Sequence, residues 1–324
     1  MPRHARTRTA GLTASARRCP AARTAGSASA EPDPGRARAE ERRQAELGDP
    51  LLLGVVTSAA DHARLAARGG LSAPDHRGYL REVEAALRDA VRGGHEVYGR
   101  RFHPGDLDAW CAEHGVRPGS RGSHRAYIED PEGEPDWVRW TGGRLPEFLA
   151  ALDRAHERGS VHRGLDRMLG ATAEAAAAGG SFPEALLRPA YAAGVRALCD
   201  LLGSAAPGVY RLACAADGAE GRIGFCAALE LGAGERMSIE EADLDALCAL
   251  LCTAHVLGLN AGLLLNGRTA DGRSAARGWS FDGRGYHRRC PLDLLDGFDA
   301  PLAARVAVPA APPSPGAAAT LRLS

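Results

Sequence analysis

Two short stretches of this chain set histidine and aspartate close together just after apolar runs that read as β-strands. Thr57, Ser58, Asp61 and His62 follow Leu51–Val56 (LLLGVV), and His103 and Asp106 follow His95–Phe102. Histidine changes charge near neutral pH, and a carboxylate at hydrogen-bond distance can orient it as a proton carrier. The Thr57 and Ser58 hydroxyls would add hydrogen bonds to a polar ligand. In open α/β sheets ligands bind beyond the carboxyl ends of the strands, so loops from two neighbouring parallel strands would share a pocket. The set therefore suits acid–base chemistry in a hydrolase or transferase, or the binding of a small polar molecule. The architectural alternative is that Asp61 and Asp106 cap helices and the histidines are solvated.

Two further constellations carry possible chemistry. Cys248, Cys252 and His255 are spaced by four and three residues, which places them on one helical face, with Cys290 or His287 available as a fourth metal ligand. Leu244, Leu247 and Leu251 share that face, and cysteine packs well as a small hydrophobe, so packing is the preferred account. No metal and no other cofactor is expected. The run Arg268–Cys290 (RTADGRSAARGWSFDGRGYHRRC) interleaves six arginines with Trp279, Phe281 and Tyr286. Arginine for phosphate and aromatics for stacking is how single-stranded nucleic acid is held, which makes an RNA-associated protein a further alternative. Arg284 and Trp279 are the candidate ligand contacts there. An exposed hairpin turning at Asp282-Gly283 has the same composition. His156 and His162, separated by five residues in HERGSVH, fall on different helical faces and suggest no shared site.

The elements that must position these residues follow from periodicity. Leu80, Val83, Leu87 and Val91 recur at helical spacing over residues 77–92, and Gly93 and Gly94 end that helix. With Leu51–Val56 before it, His95–Phe102 after it and a helix over 107–114 capped by Asp106, the order is strand, helix, strand, helix. That order predicts a parallel β-pair, with LLLGVV buried on both faces. Asp136–Thr141 reads as a third strand. Residues 145–203 turn helical. Val209–Ala216 and Arg222–Leu231 form a hairpin. A helix then begins at Ser238 with the capping box Ser238-Ile239-Glu240-Glu241. Leu263–Leu265 and Trp279–Tyr286 are strand-like. Alternation puts Cys214 with Tyr210 and Leu212, and Cys226 with Arg222 and Glu230, so the two thiols face opposite sides of the sheet and stay unbonded.

Composition limits the function. The chain has 324 residues and no lysine; its forty arginines balance forty acidic residues. Walker-type phosphate loops, protein kinases and Schiff-base enzymes need an amine that arginine cannot supply. Zero net charge gives no global field to recruit nucleic acid or membrane. The eight cysteines form no CxxC pair, which suits reduced thiols in a cytosol. No apolar run reaches the ~18 residues of a membrane span. GxSxG, GxGxxG, HExxH and EF-hand patterns are absent. The segment DHRGYLREVEAALRDAVRGGHEV followed by FHPGDLDAWCAEHG resembles a pattern in uncharacterised actinobacterial α/β proteins, which implies a bacterial origin and no particular activity.

The expected fold is α/β: a small parallel or mixed sheet with flanking helices, then a helical segment and an α+β portion with an antiparallel hairpin and helix. Residues 1–47 read as a disordered Arg/Ala-rich arm, 48–145 as the α/β portion, 146–306 as the helical and α+β portion, and 307–324 as a Pro/Ala tail. The favoured function is a cytoplasmic regulatory or binding protein for a small polar ligand or a protein partner, with the enzyme as the alternative.

Overall fold

A computed structural model describes residues 50–69, 71, 73–130, 136–176, 184–218, 221–233, 236–283, 285–308 and 318–322. The amino-terminal arm and Arg284 lie outside these residues. The chain divides into two units, one ending at Gly159 and the other running on from Ser160.

The amino-terminal unit contains β1 (Leu51–Val55), α1 (Ala59–Ala67), α2 (His76–Arg92), β2 (Val97–Arg101), α3 (Pro104–His114), α4 (Arg121–Ile128), β3 (Val138–Arg139) and the first half of α5 (Leu145–Ala176). Its sheet has the order β1-β2-β3. β1 and β2 are parallel, with Leu51 opposite Val97 and Val55 opposite Arg101, whereas β3 is antiparallel to β2. The parallel pair is as expected. LLLGVV differs in burial: β1 lies at the sheet edge, Leu51 is 40% exposed, and only its end, at Val55, is buried.

Alternation along β2 decides what each face carries. Val97, Gly99 and Arg101 face α5, where Leu145, Phe148 and Leu152 recur at helical spacing and pack with Val55, Leu87 and Trp140. Gly99 has no side chain because an added Cβ would lie 2.6 Å from Cζ of Phe148. Arg100 points to the opposite face, where its guanidinium lies 4.4 Å over the Tyr127 ring and donates to the Tyr127 carbonyl at 2.7 Å. That face is completed by Val56, Leu65, Phe102, Leu107 and Cys111.

The second unit contains the rest of α5, α6 (Glu184–Gly203), β4 (Gly208–Gly218), β5 (Gly221–Gly232), β6 (Arg236–Glu240), α7 (Glu241–Leu257), β7 (Ala261–Thr269), β8 (Ser274–Phe281), β9 (Tyr286–Arg289), α8 (Pro291–Gly297), α9 (Ala300–Ala307) and β10 (Ala318–Arg322). Seven strands form one antiparallel sheet in the order β10-β6-β5-β4-β7-β8-β9. The Pro/Ala tail thus contributes an edge strand beside β6. One sheet face (Tyr210, Leu212, Cys214, Phe225, Leu229) packs on α7, which is apolar nearly all round. The other face (Ala213, Ala215, Cys226, Leu264) is covered by Phe298, Leu302 and Val306. Cys214 and Cys226 therefore lie on opposite faces with no disulfide between them, both buried.

The capping box at Ser238 does not form. Ser238 and Ile239 belong to β6, and the helix starts at Glu241 with Glu240 in the cap position. Met237 and Ile239 alternate into the core beside β5, and burying those two side chains outweighs a local capping preference.

Candidate active site at the strand ends

The site is built where the two parallel strands stop. After β1 the chain passes Thr57 to Ser58, the N-cap of α1, whose hydroxyl accepts from the Asp61 amide at 3.1 Å. After β2 it reaches His103, the N-cap of α3, with Pro104 opening the helix. Asp61 and Asp106 are thus not the caps themselves; each occupies the third position of its helix, where a carboxylate is favoured by the helix dipole. Pairing of Val55 with Arg101 sets the two helix starts side by side.

Asp61 is almost fully buried. The Ser58 hydroxyl donates to it at 2.7 Å, Arg101 Nη2 lies at 3.4 Å and His103 Nε2 at 3.7 Å. Burial opposes its charge, but the Ser58 hydrogen bond, His103 and Arg101 together hold the carboxyl below its ordinary pKa. Asp106 lies between two imidazoles: His103 Nδ1 is 2.9 Å from its Oδ1, and His156 Nε2 is 3.6 Å from its Oδ2. The two rings are 5.9 Å apart. His103, Asp106 and His156 can each present one donor atom such that all three atoms lie within 4.8 Å of one another, a geometry able to serve as a catalytic or metal centre.

His156 enters on α5. Four residues after Leu152, it extends the stripe Leu145, Phe148, Leu152 that packs against β2, and so arrives beside the β2 end. Asp153 comes with it: Arg101 Nη1 is 3.3 Å from its carboxylate and the Thr57 hydroxyl donates to it at 2.7 Å. Sequence reasoning left out His156, Asp153 and Arg101. The signal available was a histidine continuing an apolar helical stripe, which the comparison of His156 with His162 alone could not reveal.

His62 does not join the cluster. One residue on from Asp61, it points ~100° away around α1 and packs against His76 and Tyr79, with ring centroids 5.7 and 5.6 Å away. The Thr57 and Ser58 hydroxyls are engaged within the protein. Trp279 lies buried in the core of the second unit beside Phe281, so these ring faces are not offered to a base, and Arg277 donates to Ser204.

Among the described residues, Cys248, Cys252 and His255 do not gather as a metal-ligand group, and each is engaged elsewhere. Cys248 is in the main core, and burial, with Asp245 adding to it, pushes its thiol up to about 12. Cys252 donates to the Leu187 carbonyl, and His255 packs on Phe281 and meets the Tyr286 hydroxyl at 3.2 Å. His287 pairs instead with Asp282, at 3.2 Å.

A family model described as a domain of unknown function (DUF8829) matches residues 37–143, a stretch that includes Asp61, His103 and Asp106 and stops before Asp153 and His156. No curated protein and no solved structure matches the chain. No helix among the described residues is long and apolar enough to cross a membrane.

Proposed function

We propose that this protein is an enzyme, a hydrolase or transferase, whose chemistry is carried out by His103, Asp106 and His156. The observation that carries this reading is the convergence of the three side chains, from α3 and α5, on the carboxyl ends of a parallel strand pair. An imidazole oriented by the carboxylate can take the proton from a nucleophile, its charge offset by Asp106, and a cation held by the three groups would lower the nucleophile's own pKa. That nucleophile would be water in a hydrolase and an acceptor hydroxyl in a transferase. Asp61, Arg101 and Asp153 form the charged frame that holds the array.

A regulatory protein that only binds a polar ligand is less well supported. Its expected contacts, Thr57 and Ser58, are already hydrogen-bonded to Asp153 and Asp61. The free thiols and lysine-free, arginine-rich composition fit a bacterial cytosolic setting.

The test is a panel of chromogenic esters, phosphomonoesters and amides, assayed with wild type and Asp106→Asn. The expected result is turnover that falls by about 100-fold or more, the scale of a lost acid–base or metal function, in a variant that circular dichroism shows to be folded. Turnover that survives both Asp106→Asn and His156→Gln would refute this assignment.

A further inference from the structure

We infer that His103, Asp106 and His156 bind one divalent first-row transition ion of the zinc type. The inference deepens the reading above and rests on the same cluster, but it concerns what sits there. Ligand atoms ~2.1 Å from a common ion lie about 3.0 Å apart in octahedral and about 3.4 Å apart in tetrahedral geometry. The separations found are 2.9 Å from His103 Nδ1 to Asp106 Oδ1 and 3.6 Å from His156 Nε2 to Asp106 Oδ2. These two separations use different Asp106 oxygens; with one donor atom from each residue all three lie within 4.8 Å of one another, so the side chains must close in further to share one ion.

The surroundings fit a metal centre as well as the distances do. A ligating histidine characteristically directs its other ring nitrogen at a carboxylate, which fixes the ring and raises its basicity. With Nδ1 of His103 on the ion, Nε2 faces Asp61 at 3.7 Å. Asp61 is only 4% exposed and is itself held by Ser58 and Arg101, so this supporting carboxylate is fixed before any ligand arrives. Arg101 bridges Asp61 and Asp153, and Arg64 reaches Asp61 at the rim.

Two nitrogens and one oxygen select zinc, iron(II) or cobalt(II) over magnesium or calcium, which prefer all-oxygen shells. Side-chain exposures of 28% for His103 and 35% for Asp106 leave a route in for the ion. Three protein ligands leave a coordination position for water or substrate, as catalytic rather than structural zinc sites do.

The test uses the full chain, treated with chelator and re-equilibrated with Zn²⁺ or Co²⁺. One ion per chain is expected, with Co²⁺ giving a visible spectrum that Zn²⁺ abolishes. Asp106→Asn and His156→Gln should each weaken binding by more than about 100-fold, and Asp61→Asn by about 10- to 100-fold. Cys290→Ser, an exposed thiol elsewhere, should change nothing. X-ray absorption at the zinc edge of wild type needs no variant to fold; it should show only nitrogen and oxygen neighbours at ~2.0–2.1 Å. A sulfur shell, no stoichiometric ion, or binding indifferent to the Asp106 and His156 substitutions would overturn the inference. Ion binding without turnover would retain the metal site and remove the enzyme; turnover by metal-free protein would do the reverse.

Discussion

Gly99 stands where β2 meets α5, and replacing it with alanine probes the contact that delivers Asp153 and His156 to the site. The new methyl carbon would lie 2.6 Å from Phe148 Cζ, 3.2 Å from Phe148 Cε1 and 3.3 Å from Leu152 Cδ2. Non-bonded carbons rest at about 3.5–4.0 Å, so the ring or the helix must retreat by about 1 Å. Overfilling a packed core in this way costs about 1–3 kcal/mol, while alanine's narrower unfolded ensemble offsets about 0.4–1 kcal/mol. The net expectation is a loss of about 1–2 kcal/mol, read by urea unfolding with tryptophan fluorescence. Trp110, Trp137 and Trp140 all lie in the amino-terminal unit, and Trp140 is 5.0 Å from the Phe148 ring. Phe148→Leu removes the colliding Cζ. It should therefore be less damaging in the Gly99→Ala background than in wild type, with a coupling of about 1 kcal/mol or more. Additive effects of the two substitutions, or a Gly99→Ala protein as stable as wild type, would refute the packing argument.

Burial pushes the Asp166 carboxyl up to about 6, so ionising it weighs on the folded state. A raised carboxyl pKa makes stability fall as pH rises from about 4 through 6; Asp166→Asn should then stabilise by about 1–2 kcal/mol at about pH 7.5, after discounting for its partial exposure, and by nothing near pH 4, as thermal unfolding at the two pH values will show. Ser58→Ala removes the α1 cap and should lower stability by about 1 kcal/mol in chemical denaturation, with Ser58→Gly milder. Among the described cysteines, Cys290 should react with a thiol reagent in the native protein, whereas buried Cys111, Cys214, Cys226, Cys248 and Cys252 should react only after unfolding; rapid native labelling of Cys248 would contradict its burial.

The parallel strand pair was readable because an apolar run, an amphipathic helix and a second run follow one another within a short stretch, and few topologies satisfy that order. The candidate loops followed directly, and His103, Asp61 and Asp106 do meet. His62 misled because loop proximity says nothing of direction: adjacent helical residues diverge, and His62 went to Tyr79. His156 was hidden for a different reason. Its place depends on α5 docking its Leu145, Phe148 and Leu152 stripe on β2, a long-range contact that local spacing cannot report. At β6 the local signal was positively deceptive, since Ser238-Ile239-Glu240-Glu241 satisfies a helix cap while Met237 and Ile239 satisfy a strand. Burial against β5 decided it.

In the seven-stranded sheet, β4–β5–β6 and β7–β8–β9 are two meanders, each zipped by consecutive neighbours, joined along β4 and β7 across the whole of α7. Hairpins close in microseconds, whereas joining distant strands carries a larger loop-closure entropy. The order of assembly is therefore written in the connectivity: each meander can form locally, and the seam where Leu212 faces Leu265 closes late. Until it does, both meanders expose an unpaired backbone edge, and α7 is the tether that keeps those edges within reach of each other rather than of another molecule.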